Sequence, residues 1–247
     1  MTRLAAQLRR IPWRRYSLAW PVLLLILFGS IGMAAVGVYA TVFLGMIVFH
    51  ANIADSPGAA TVIWNFFGVA ALITGVAIWP PCGKVFAKLG IRPLKWLDVW
   101  IAVATCTAIL LFSGAVTVAW QAFLDWAGIP YQEEQDLLKE IAGASPAALI
   151  LLGFVLTVTV PIAEEIFFRR LLFGLFRPLG AWTAILLTSF LFACAHFFLY
   201  GMPALFLMGL GFQLTYLLRR NLSAAILVHG LINFCALAGT LLESSGS

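Results

Sequence analysis

Long apolar stretches broken by short polar interruptions dominate the chain. Seven apolar stretches can be drawn, at 18–48, 60–79, 97–120, 147–175, 181–199, 203–218 and 222–242. Most reach the ~18 residues that a membrane-crossing helix needs. The breaks between them carry turn chemistry: DSPG at 55–58, PPCG at 80–83, Pro130, Ser145-Pro146, RPLG at 177–180, YGMP at 200–203 and RRN at 219–221. The alternating polar and apolar positions of an outer-membrane barrel are absent. The pattern predicts an all-α, polytopic transmembrane bundle of about seven spans.

Composition sharpens this. Of the 247 residues, 63% are hydrophobic and 10% charged, with a mean hydropathy of +1.02; an ordinary soluble domain is roughly 25% charged. The net charge of +5 does not point to nucleic acid, because the basic residues flank the apolar stretches. With one span in the first run, fourteen of the 15 Lys and Arg side chains fall on one side, from Arg3 to Arg15 through Lys84–Lys95 to Arg219 and Arg220. Only Lys139 falls on the other. The positive-inside rule then places the N-terminus in the cytoplasm and the C-terminus opposite. The first run, Ser17 to Phe49, is longer than the ~7–15 apolar residues of a cleaved signal and reads as a retained span. The expected organisation is a basic segment 1–16, N-terminal spans over 17–144 and a membrane core over 145–242. Cys82, Cys106, Cys194 and Cys235 form no CxxC pair and read as small packing residues.

Against that background the stretch PIAEEIFFRRLLF, residues 161–173, is anomalous. A charge at the bilayer centre costs from ~3 to more than 10 kcal/mol, so such groups face a partner or a cavity. Glu165 and Arg169 are four apart, on one helix face, with the glutamate first as the favourable order. Glu164 lies about 100° round the helix and is left as the spare carboxylate. The plainer reading is a charge cluster at a cytoplasmic helix end, and Arg170 and Arg177 are assigned as such anchors. Two of the three histidines lie in late spans. Phe192 precedes His196 by four residues and Asn233 follows His229 by four, so each pair shares a face. A lone membrane histidine is often only a packing residue bonded to a nearby carbonyl, and Phe192 alone reads as core. A fourth helix continuing through Phe176 brings Glu164 within about 10 Å of the axial level of His196. His50 is given no role.

Together, EExxxR (Glu164, Glu165, Arg169), FxxxH (Phe192, His196) and HxxxN (His229, Asn233) resemble the CPBP intramembrane proteases, which include the CAAX prenyl endopeptidases and the bacterial Abi proteins. The resemblance covers roughly 145–240, and Arg170 departs from it where the family often has Gly. It implies an intramembrane endopeptidase, of glutamate type or a metalloprotease, acting on a membrane-associated, lipidated or prenylated peptide, with no nucleic-acid partner. Glu164 would be the general base, and His196 would hold the water. His229 and Asn233 would donate to the oxyanion, with Glu165, Arg169 and Phe192 supporting. Whether a cofactor is needed stays open: none, or a single divalent metal such as zinc held by Glu164, His196 and His229, although HExxH is absent. A bacterial plasma membrane is the expected location. The alternative on the same fold is a non-catalytic scaffold or bacteriocin-immunity factor. A proton-coupled transporter would show repeated halves, and the first three spans do not mirror the last four.

Overall fold

The computed structural model describes residues 89–132 and 146–246, together with residues 28, 29 and 68. Apart from those three residues, the expected spans 18–48 and 60–79 lie outside the described residues, as does segment 1–16. Among the described residues the regular elements are all helical.

Helix α1 (Trp96–Ala127) follows the Pro93 segment. The Asp98 side chain accepts the Lys95 N–H at 2.8 Å and closes its first turn. Gly128, at φ 66°, ends it: its N–H returns to the Asp125 carbonyl, and the Ile129 N–H returns to that of Leu124 at 3.0 Å. Only a narrow stripe of α1, including Ala102, Cys106 and Ile109, is buried, while Trp96, Leu111, Phe112 and Val118 are well exposed. In water that apolar surface would be a liability; in lipid it is the normal outer face.

Helix α2 (146–179) is continuous but not uniform. Ordinary α turns at Pro146–Phe154 and Val160–Glu165 alternate with wide π turns at Val155–Thr159 and Ile166–Leu172. Phe173–Phe176 and a tight final turn, Arg177–Leu179, complete it. Pro161, which has no N–H for the ladder, sits just after the first π segment. The hydroxyls of Thr157 and Thr159 bond the carbonyls of Gly153 and Val155 at 2.7 and 3.0 Å. The expected span 147–175 is thus one helix extending four residues further.

Helix α3 (Ala181–Cys194) has 14 residues and stops short of the expected 199. Its chain turns through His196 and Phe197, whose φ is +50°. That region is uncomfortable for a bulky side chain. Helix α4 (Met202–Arg219) carries Pro203 in its first turn and ends on Arg220 in the left-handed region. Helix α5 (Leu222–Gly246) follows. Four of the described helical stretches are long and apolar enough to cross a bilayer: Trp96–Ala127, Leu149–Leu179, Met202–Arg219 and Leu222–Glu243. The protein is an integral membrane protein with an all-helical architecture.

Helix α4 packs between α1 and α3, while α5 packs on α1, α4 and the middle of α2. Two glycines permit the closest approaches. A Cβ on Gly209 would lie 3.0 Å from Ser189 Cα, and one on Gly230 would lie 2.6 Å from the Thr157 carbonyl oxygen. At one end Asp98 pairs with Arg219. There the Arg92 N–H donates to Asn221 Oδ1 at 3.1 Å, and Ser223 Oγ to the Arg92 carbonyl at 2.8 Å. Further along α1, Trp120 Nε1 donates to the Leu199 carbonyl at 2.9 Å and ties the α3–α4 loop to it.

Candidate active site

The charges of α2 point inward. Glu165 and Arg169 are both fully buried, and Arg169 Nε donates to Glu165 Oε2 at 3.0 Å. The second Glu165 oxygen is also used: His229 Nδ1 lies 3.1 Å from Oε1. A carboxylate paired with arginine offers only acceptors, so Nδ1 carries the proton in this bond. The ring's other nitrogen, Nε2, faces Glu164 Oε2 at 3.8 Å. Glu164 is half-buried, and Oε2, shielded from solvent, has no hydrogen-bond partner among the described residues. The expectation of a paired Glu165 and a spare Glu164 therefore holds. Their shared partner, His229, is new information: the helix spacing showed only the Arg169 contact.

The two π segments explain how this comes about. The wide turns of Ile166–Leu172 bury Phe168, Arg169 and Arg170 together. Arg170 is only 8% exposed, which corrects its assignment as a headgroup anchor; Arg177, in the tight final turn, is half-buried. In the upstream π segment the Leu156 carbonyl accepts from Asn233 Nδ2 at 2.8 Å. This bond and the close approach at Gly230 dock α5 against α2 in the turn that follows His229. One N–H of the Asn233 amide is committed there, leaving one for other work.

Arg169 has no hydrogen-bond partner for Nη1 or Nη2 among the described residues. Its guanidinium carbon lies over three rings instead, 5.0 Å from the Phe192 centroid, 5.6 Å from Phe212 and 5.8 Å from Phe168. Such contacts contribute ~0.5–2 kcal/mol each, more when desolvated. Phe192 is the hub of this cage. It meets Phe168 and Phe212 edge-on at 5.2 and 5.8 Å, and the rings of His229 and His196 at 5.8 and 4.8 Å. The Phe192 and His229 rings are thus in contact across α3 and α5, and His196 lies two residues past the end of α3. His196 Nδ1 bonds the Phe192 carbonyl at 2.8 Å, the packing arrangement anticipated for a lone histidine, which leaves Nε2 available. Phe212 of α4 stacks on His229 at 4.6 Å with the planes 18° apart. Nothing in the residue pattern marks it, because α4 bears no polar motif.

The suggested metal ligands do not form a site here: among the described residues no group of three His, Cys, Asp or Glu side chains is arranged to hold an ion. The Nδ1 atoms of both histidines face oxygen acceptors, an arrangement that leaves Nε2 as the ligating atom of each ring.

A helical membrane protein with a carboxylate pair and a histidine at its centre is the class that this fold and site define. Residues 146–235 match the family model described as Rce1-like, type II CAAX prenyl endopeptidase Rce1-like. That match, over the segment that carries all three motifs, is consistent with the CPBP/CAAX protease family, which points to CAAX-type intramembrane protease activity. No curated protein and no solved structure matches the chain.

Proposed function

We propose that the chain is an intramembrane endopeptidase that cleaves a membrane-associated, lipidated peptide with water activated by Glu164. The observation carrying this reading is the His229 ring, held at Nδ1 by Glu165 and presenting Nε2 to Glu164 at 3.8 Å. With His229 protonated, Glu164, Glu165, Arg169 and His229 sum to zero charge, the condition under which a low-dielectric site tolerates so many ions. Glu164 then accepts a proton from a water that His196 Nε2 also contacts, and the hydroxide adds to the scissile carbonyl. The oxyanion receives hydrogen bonds from His229 Nε2–H and the remaining Asn233 N–H. Glu164 returns the proton to the leaving amine as the C–N bond breaks. The N-terminus lies in the cytoplasm, as the Lys and Arg distribution favours, and the site opens toward that face.

The test is hydrolysis by the purified, reconstituted chain of a prenylated CAAX-type peptide and of its unlipidated counterpart. Cleavage of the prenylated peptide is expected, with Glu164→Gln slower by ~10²–10⁴-fold. No cleavage by the wild type, or an unimpaired Glu164→Gln, would sink the reading. A chelator arm with zinc add-back decides between glutamate-type and metal-dependent chemistry.

A further inference from the structure

We infer that Phe212 is a positioning residue, whose ring fixes the plane of His229 and so aims Nε2. This rests on the protease reading for its kinetic consequence, but not for its geometry. The covalent link at Cγ and the single hydrogen bond at Nδ1 still let the His229 ring tilt about the line from Cβ to the Glu165 oxygen. A nearly parallel aromatic face at 4.6 Å removes the freedom the hydrogen bond leaves, because swivelling would drive the imidazole edge into the Phe212 ring. Phe212 is itself fully buried and cannot yield. Phe192 meets it edge-on at 5.8 Å, and the Arg169 guanidinium lies 5.6 Å from its centroid. Phe212 thereby joins the two partners of Glu165: it touches the arginine that holds one carboxylate oxygen and the histidine held by the other. Helix α4, which supplies none of the motif residues, contributes the surface that keeps Nε2 turned toward Glu164.

The experiment compares Phe212→Leu and Phe212→Tyr with Phe173→Leu, a matched truncation in the separate cluster around Ala184, Ile185 and Leu217. In hydrolysis of the prenylated peptide, Phe212→Leu should lower kcat by about tenfold to 10²-fold with KM little changed, the signature of lost alignment. Phe212→Tyr should recover most of that loss, and Phe173→Leu should keep wild-type kcat despite a similar fall in Tm. Equal kcat values for Phe212→Leu and Phe173→Leu would overturn the inference. A second readout does not depend on turnover. In the ¹⁵N-histidine-labelled chain in nanodiscs, with the His229 signal assigned through His229→Gln, Phe212→Leu should shift and broaden the Nδ1–H resonance, and Phe173→Leu should not. An unchanged His229 signal in Phe212→Leu overturns the inference even if the wild type cleaves nothing, whereas a shifted signal with no wild-type turnover refutes the protease reading alone.

Discussion

Replacing Arg169 tests how the charges of α2 are held. Arg169 and Glu165 are both fully buried, and removing one member of a buried pair typically costs ~3–5 kcal/mol because the survivor is left uncompensated. Arg169→Met keeps much of the volume but removes the Nε bond and the three ring contacts, so the full ~3–5 kcal/mol is expected. Glu165→Gln should cost less, because the Gln carbonyl can still accept from Arg169 Nε and the three rings still face the cation. Glu164→Gln should cost under ~1 kcal/mol, since Glu164 is half-buried and a neutral amide there lowers the desolvation burden. The decisive comparison is Arg169→Met against the Glu165→Gln/Arg169→Met double variant. With no lone ion left, the double variant should regain at least ~1 kcal/mol. Unfolding by denaturing detergent titration in mixed micelles, followed by helical circular dichroism, gives these differences. A double variant no more stable than Arg169→Met would refute the idea that an uncompensated carboxylate dominates the loss.

Other substitutions probe the docking of α5 and the loop after α3. Gly230→Ala places a Cβ 2.6 Å from the Thr157 carbonyl, so it should destabilise by ~1–3 kcal/mol and depress hydrolysis by moving His229, read by the same titration and the peptide assay. Asn233→Ala strands the Leu156 carbonyl and should cost ~1–3 kcal/mol as well as rate. Asn233→Asp, which cannot donate when ionised, should be no better. Phe197→Gly removes a bulky side chain from φ +50° and should raise stability by ~0.5–1 kcal/mol, measured as a higher Tm in detergent.

Much of this was legible in the sequence. The apolar stretches at 97–120, 147–175, 203–218 and 222–242 became helices with ends displaced by a few residues, because lipid leaves the backbone little alternative to helix. The i,i+4 spacing of Glu165 and Arg169 became a buried ion pair. What stayed hidden depended on contacts between helices. No local pattern shows that His229 reaches the second oxygen of Glu165, 64 positions away, or that Phe212 among many phenylalanines is the one beneath that histidine. The anchor reading of Arg170 fails for a related reason: a charge cluster near a helix end looks the same in sequence whether it faces headgroups or neighbouring helices, and Arg170 is buried.

The shortness of α3 bears on how a hydrolase inside lipid obtains water. Fourteen residues span about 21 Å, against a hydrocarbon layer of ~30 Å. A helix that begins near one interface therefore releases its chain before the acyl chains end, and the irregular segment containing His196 has polar backbone groups that hydrocarbon cannot solvate. Hydrophobic mismatch of this kind is relieved by a local dimple in the bilayer, which lowers a second water boundary, on the face opposite the proposed cytoplasmic opening, toward the histidine. The protein would then wet its own site by deforming the membrane around one undersized span, and its turnover would track the acyl-chain length of the host lipid.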